Sequence, residues 1–311
     1  MSALFSAVVA ARNALYDHGV LKQQRLPRPV VSVGNLSVGG AGKTPFVILL
    51  AELLRQHGLR AAVLSRGYGR KSSGVLVVDA SGSPVRFGDE PLLIARRLPD
   101  VPVVVGENRY QAGLEAERRF EFDVHLLDDA FQHRRLARDF DIVLVSRRDL
   151  QDRLLPSGRL REPLSALTRA DAVVWSEPGD LPSLPASIPV WRVRRQLELP
   201  PQSPAKPFVF CAIAGPERLL RDLESAGVQA AGHRWFRDHH AYTEADIHGL
   251  CREADRAGAD GFLTTEKDAV KLDALPAQLP NLAVVSLSLE LENAQQALTT
   301  ILDKVNLRRA V

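Results

Sequence analysis

Cysteine is almost absent from this chain. Its 311 residues include only Cys211 and Cys251, too few for a disulfide framework, which suits a reducing cytoplasm. Charge of one sign is also scarce. The formal net charge is +3, too small to argue for nucleic acid, although a mild basic excess suits anionic ligands such as phosphates or acidic headgroups. No apolar run reaches the length of a membrane span. Cys/His metal spacing, a nucleophile elbow, a dinucleotide fingerprint, internal repeats and low-complexity tracts are all missing. With 45% hydrophobic and 25% charged residues, the composition is that of a soluble globular protein, long enough for two domains.

What is present begins with Ser37-Val-Gly-Gly-Ala-Gly-Lys-Thr44. It follows an apolar run, Val30–Val33, and precedes a helical pattern over 44–57. Strand, glycine-rich turn and helix form the setting in which backbone N–H groups wrap a polyphosphate. Ser37, Val38, Gly39, Gly40, Ala41, Gly42, Lys43 and Thr44 are therefore the nucleotide-binding candidates. Lys43 can reach the β- and γ-phosphates, and the Thr44 hydroxyl can sit on a magnesium ion. The strict pattern asks for glycine where Ser37 stands. Gly39, Gly40 and Gly42 still supply an open backbone.

Short apolar runs alternate with helical stretches along residues 30–175, and several strands are apolar throughout, as in a parallel sheet covered on both faces. The expectation is a doubly wound, mostly parallel α/β domain over residues 1–190. Ligands of such sheets bind beyond the carboxyl ends of the strands, where the glycine-rich loop, Arg66-Gly-Tyr-Gly69 and Asp128-Asp129 all fall. A proline-rich passage over 199–207 then reads as a connection, and the α/β pattern restarts in a smaller domain over 208–281. Segments 190–207 and 282–292 hold strand-like stretches able to pair as a two-stranded linker. A last helix within 293–311 is expected to return to the first domain. Helices are also expected over 90–98, 109–120, 162–169 and 243–257, the last opened by a Thr243/Asp246 capping pair.

Phosphoryl transfer needs charge neutralisation, a metal, and a group that orients or deprotonates the acceptor. Asp128 and Asp129 stand where a P-loop protein keeps its second metal carboxylate. Asp89, in Gly88-Asp-Glu-Pro91, falls at a helix N-terminus, which by itself accounts for an aspartate there. To act as a base it needs a partner, and His133 or the pair in Phe236-Arg-Asp-His-His240 can supply one. Arginines crowd at 147, 148, 153, 159 and 161, suited to phosphate or simply to a solvated face. Thr264-Thr-Glu-Lys-Asp268 reads as a strand-end binding loop or a polar turn. At the N-terminus, Leu4, Val8, Ala11 and Leu15 line one helical face, widened by Phe5, Val9 and Tyr16 and followed by Lys22, Arg25 and Arg28. This is either a helix packed on its own domain or one lying in a membrane interface. A cleaved signal peptide is not expected, because no basic residue precedes the apolar part.

These signals resemble one family. Val33-Gly-Asn-Leu-Ser-Val-Gly-Gly-Ala-Gly-Lys-Thr-Pro45, Leu64-Ser-Arg-Gly-Tyr-Gly-Arg70, Gly88-Asp-Glu-Pro91, Leu127-Asp-Asp-Ala-Phe-Gln-His133, Gly158-Arg-Leu-Arg-Glu-Pro163 and Thr264-Thr-Glu-Lys-Asp268 look like the motifs of the tetraacyldisaccharide 4'-kinases, in order and across most of the chain. The resemblance implies ATP-dependent phosphorylation of the 4'-hydroxyl of tetraacyldisaccharide 1-phosphate in lipid A synthesis. It implies magnesium, and a peripheral enzyme on the cytoplasmic face of the inner membrane. It also implies two α/β lobes joined by a two-stranded linker. It makes Asp89 the catalytic aspartate and His239 its partner, with His240 adjacent. Metal ligation then falls to Asp128 and Asp129 beside Thr44. Arg66, Glu90, Arg109, His133 and Glu162 match positions that contact nucleotide or substrate. Two other readings remain for comparison: a P-loop synthetase or ligase acting on a soluble acid, and a nucleotide-switched, membrane-recruited binding protein.

Overall fold

Strands made of buried apolar residues build the first part of the molecule. The computed structural model describes residues 2–177, 179, 181, 188–272 and 275–307. Strands β1 (Val30–Asn35), β2 (Ala61–Ser65), β4 (Val103–Val105), β5 (Val124–Asp128), β6 (Phe140–Val145) and β7 (Ala172–Trp175) are buried at every position. They run parallel, and only the two-residue β3 (Leu76–Val77) joins their edge antiparallel. Helices α2 (Lys43–Gln56), α4 (Asp89–Arg97) and α5 (Arg109–Arg119) cover the sheet, and the one-turn α3 (Pro84–Phe87) leads into α4. Phe46, Leu50 and Leu54 of α2 are almost wholly buried, each stabilising by about 1.5–3 kcal/mol.

The sheet does not stop at the first lobe. β8 (Val190–Glu198) pairs parallel with β7 and antiparallel with β12 (Leu282–Leu291). Beyond β12 lie the parallel β11 (Gly261–Thr265), β9 (Pro207–Cys211) and β10 (Gly232–Trp235) of the second lobe, giving the order β10-β9-β11-β12-β8-β7-β6-β1-β5-β2-β4-β3. This is an α/β fold with a mostly parallel sheet. Helices α6 (Pro216–Ser225), α7 (Glu244–Ala257) and α8 (Glu266–Leu272) pack around the second lobe. Thr243 and Asp246 form the capping box at the start of α7. The final helix, α9 (Ala294–Lys304), buries Ala297, Leu298 and Ile301 in the core that holds α2.

The helix expected over 162–169 is a 3-10 segment, Leu164–Arg169, capped by Pro163. A proline disfavours α conformation in the residue before it, so Glu162 stays outside.

The N-terminal helix α1 (Ser2–Asp17) stands apart from these layers. Its stripe of Leu4, Val8, Ala11 and Leu15 faces away from the protein, with Leu4 72% and Val8 59% exposed. The flank and the opposite face are tied down: Arg12 beside the stripe donates to the Gln132 carbonyl, and Asn13 opposite it donates to Glu162. Among the described residues no helix is long and apolar enough to cross a membrane.

Both lobes direct the carboxyl ends of their parallel strands toward one cleft. From the first lobe come the loops after β1, β2 and β5. From the second come those after β9, β10 and β11.

Candidate active site

The loop after β1 leads into α2 through Gly42, which is left-handed at φ 82° and offers no side-chain cap. The first N–H groups of α2 are thereby left for an anion, as at other phosphate-binding helix starts. Ser37 is 3% exposed, and its backbone bridges to Leu160 while Val38 donates to the Arg159 carbonyl. A residue held extended in this way needs no glycine, which explains the departure from the strict loop pattern. Lys43 Nζ donates to Asn35 Oδ1 at 3.1 Å and lies 3.5 Å from Asp129 Oδ1.

At the end of β5, two adjacent carboxylates sit in different fields. Asp128 is buried and accepts a 3.4 Å hydrogen bond from Ser65 on one oxygen, while its Oδ1 accepts none. Burial, with Glu90 and Asp129 nearby, pushes its carboxyl up to about 7. Asp129 is only half-buried, and Lys43 and Arg161 outweigh the cost of that burial and hold it at about 2. Arg161 ion-pairs with it at 2.7 Å and also donates to Asn35. The orphaned Asp128 oxygen, the Thr44 hydroxyl and the Asp129 carboxylate belong to residues lining one cavity, an oxygen-only donor set fitting a hard divalent cation such as magnesium. Among the described residues no group of three or more His, Cys, Asp or Glu is placed to hold a metal alone.

The third part crosses the cleft. Gly88, at φ 90°, separates α3 from α4, and a Cβ there would meet Gly67 Cα and the Tyr68 carbonyl at 3.1 Å. Only glycine lets Arg66-Gly-Tyr-Gly69 pack on the start of α4. Asp89 follows, 6% exposed, with Oδ1 accepting from the Glu90 amide. Its Oδ2 is 2.9 Å from His239 Nδ1, delivered by the turn after β10. His239 is one of the few non-glycine residues in left-handed conformation, at φ 60°. Its neighbour His240 turns instead to Asp246, at 3.0 Å. Burial would raise the Asp89 carboxyl, but His239 and the Lys267 ammonium overcome it and leave it lowered. The same hydrogen bond raises His239, against the opposing pull of burial. Tyr68 tilts over the imidazole, with ring centres 5.1 Å apart.

A cavity of about 730 Å³ joins these parts, walled by the glycine-rich loop, Arg66, Glu90, Asp128, His239 and Lys267 among others. Arg109 and His133 also face it. Burial brings Arg109 down to about 10, and burial with Arg109 nearby brings His133 to about 4, so the imidazole is neutral at pH 7. Glu162 does not line the cavity. It is 1% exposed and receives Asn13 and Arg169, anchoring α1 to the first lobe. The dense arginines also divide: Arg161 serves Asp129, while Arg159 is held by Asp152. Sequence reasoning did not single out Asn35 or Lys267. Asn35 carried no signal of its own. Lys267 lay in a strand-end motif that gave no hint of what it meets.

Comparison with known proteins bears on the family and the fold. The family model for tetraacyldisaccharide-1-P 4'-kinase matches residues 1–306. The tetraacyldisaccharide 4'-kinase of Koribacter versatilis (strain Ellin345) is 50% identical over 318 residues, covering 99% of both chains. That of Aquifex aeolicus (strain VF5) is 40% identical over 289 residues, covering 87% of this chain and 88% of its own. A crystal structure of "apo" form LpxK from Aquifex aeolicus in complex with ATP superposes with a TM-score of 0.80 at 36% identity, covering 98% of this chain and 97% of that one. Motif order, fold and whole-length similarity agree: the chain belongs to the tetraacyldisaccharide 4'-kinase family.

Proposed function

We propose that this protein transfers the γ-phosphoryl group of ATP to the 4'-hydroxyl of tetraacyldisaccharide 1-phosphate, with the Asp89–His239 pair receiving the hydroxyl proton. The observation that carries this reading is the 2.9 Å contact between Asp89 and His239, made across two lobes over a cavity that also holds Lys43 and the glycine-rich loop. The loop amides from Gly39 to Thr44 grip the triphosphate. Lys43 balances charge that grows on the transferring group, a preorganised contribution that costs no rearrangement. Thr44, Asp128 and Asp129 would hold magnesium, which supplies charge neutralisation on the phosphates when bound. The acceptor hydroxyl gives its proton to the pair as its oxygen attacks the γ-phosphorus, and ADP leaves. Arg66, Arg109 and neutral His133 supply hydrogen-bond donors to substrate oxygens, and Glu90 helps frame the same wall. Residues 1–190 with the helix of 293–311 act as the nucleotide lobe. Residues 208–281 act as a closing lobe on the linker segments 190–207 and 282–292.

Asp89 is the base in this reading, with His239 orienting it. One observation favours the reverse order: His239 lines the cavity, while Asp89 is 6% exposed behind it. The acid limb of kcat separates the two. With Asp89 as base the limb falls below the ordinary carboxylate value, and with His239 as base it falls above the ordinary histidine value, following their lowered and raised proton affinities.

The acceptor is a lipid, and the exposed Leu4, Val8 and Leu15 of α1 supply an apolar face for the cytoplasmic surface of the inner membrane. Incubation with γ-labelled ATP and the tetraacyl disaccharide, followed by separation of lipids, tests the whole reading. A labelled lipid is expected. Label released only as inorganic phosphate, or turnover with a soluble acid and no lipid, would overturn it.

A further inference from the structure

The first turn of α8 meets both ends of α4 across the cleft with opposite charges. Arg97 of α4 meets Glu266 of α8 at 2.9 Å. Lys267, next to Glu266, meets three carboxylates: Glu90 at 3.1 Å, Asp238 at 3.5 Å and Asp89 at 3.9 Å. Asp89 and Glu90 belong to the first lobe, Asp238 and Lys267 to the second. Every one of these α4–α8 pairs exists only while the lobes are together.

Two features set Lys267 apart from an ordinary surface ion pair, which contributes little. The first is its partner. Asp89 is 6% exposed, and a buried carboxylate depends on the charges that face it. The second is its support. Asp268, fully buried and next in sequence, accepts from the Ala212 amide at 2.9 Å, the Tyr242 hydroxyl at 2.9 Å and the Thr265 hydroxyl at 2.6 Å. Lys271 closes that network at 2.9 Å from Asp268 and donates to the Ala212 carbonyl. The backbone carrying Lys267 is thus fixed by buried hydrogen bonds. Burial of the ammonium favours losing its proton, but Glu90, Asp89 and Asp238 more than reverse this, and it stays charged at any working pH.

We propose that Lys267 is a positioning residue of the phosphoryl-transfer step: its ammonium, delivered by the second lobe, aims and charge-balances Asp89 and Glu90 when the lobes meet. This rests on Asp89–His239 being the acid–base pair. The charged groups around Asp89 are Glu90 on its own helix, Lys267 and Lys271 on α8, and His239 and Asp238 on the turn after β10. Lys271 does not replace Lys267, because it is committed to Asp268. The Lys267 charge lowers proton affinity at Asp89 and at His239 alike. Whichever of the two takes the proton, losing Lys267 moves the acid limb of the rate profile upward.

The test uses the full-length protein as wild type, Lys267→Met, Lys267→Arg and Arg97→Ala. Lys267→Met keeps the length of the stem and removes only the charge. Its kcat is expected to fall by roughly 10–100-fold, in line with a loosened catalytic group. Its acid limb is expected to rise by about one pH unit or more, the size of effect an adjacent unit charge exerts. Lys267→Arg should restore the limb and most of kcat. Arg97→Ala, which breaks only the neighbouring interlobe pair, should leave the limb where it was. An unmoved limb in Lys267→Met, or an arginine variant as impaired as methionine, would reduce Lys267 to packing and overturn the proposal. The imidazole titration of His239, followed by NMR without turnover, keeps the two readings separable. It should move upward in Lys267→Met even if the acceptor proves to be a different molecule, and an unchanged titration counts against Lys267 alone. Should Lys267→Met lose the wild-type circular dichroism spectrum, Lys267→Gln takes its place in both measurements.

Discussion

The two walls of the cleft are built on different principles. The nucleotide wall is local: Asn35 and the loop from Ser37 to Thr44 form one strand, one turn and the start of one helix, complete within a single lobe. The acid–base wall joins residues 150 positions apart, on opposite lobes. Were the lobes to part, the first would stay intact, whereas the second would come apart. Binding and chemistry are therefore separable in this protein, and substitutions should divide along the same line.

The sharpest division comes from Asp89→Ala. With both substrates saturating, kcat is expected to fall on the order of 10²–10⁴-fold, the usual worth of a positioned base. ATP affinity, measured by calorimetry, should stay near wild type, because no group of the nucleotide wall has changed. A collapse of ATP binding would erase the distinction between the walls.

Lys43→Ala acts on the other side. Loss of one preorganised charge at the transferring group should lower kcat by about 10²–10³-fold, with the acceptor KM unmoved. It also releases Asp129 from one of its two cations, Arg161 remaining at 2.7 Å. Equal damage to acceptor KM would mean that Lys43 reaches across the cleft.

The same contrast explains what could be read from the sequence. Glycine spacing and an apolar strand before a helix are short-range signals, so the loop and the alternation of strands and helices were legible. The capping pair of Thr243 and Asp246 was legible for the same reason. Long-range pairing was not. Motif composition left His133, His239 and His240 open as partners for Asp89, and family resemblance, not spacing, selected among them. Geometry separates the neighbours by sending His240 to Asp246. Lys267 was invisible in role, because its three carboxylates come from two lobes. The 3-10 form of 164–169 was missed because apolar periodicity does not register what Pro163 does to the residue before it.

Closure should also depend on pH, with a sign fixed by the pair. Contact raises the proton affinity of His239 above its ordinary 6.5, so its contribution is full below that value and is lost as pH rises through the raised one. Contact lowers Asp89 below its ordinary 3.8, so its contribution is present above that value and is lost as pH falls through the lowered one. The lobes should hold together best between these limits. Hydrogen exchange at the backbone of 237–240, corrected for intrinsic rate, is expected to be slowest there and several-fold faster on the alkaline side. A flat profile would detach closure from the Asp89–His239 contact.

The smallest effect is expected inside the nucleotide wall, at Ser37. Its backbone is bridged to Leu160 and is not left-handed, so Ser37→Gly restores the strict loop pattern and gains no conformational access. The cost is about 0.5–1 kcal/mol of added chain entropy. ATP affinity should change by no more than a few-fold. Gly42→Ala is the contrasting substitution: at φ 82° a side chain is strained by roughly 1–2 kcal/mol whatever the space around it. That strain falls on the residue aiming the first amides of α2, so ATP affinity should drop while the acid limb of kcat stays fixed. If Ser37→Gly proved the more harmful of the two, the grip would reside in the Ser37–Leu160 bridge, and the nucleotide wall would be less local than its chain segment suggests.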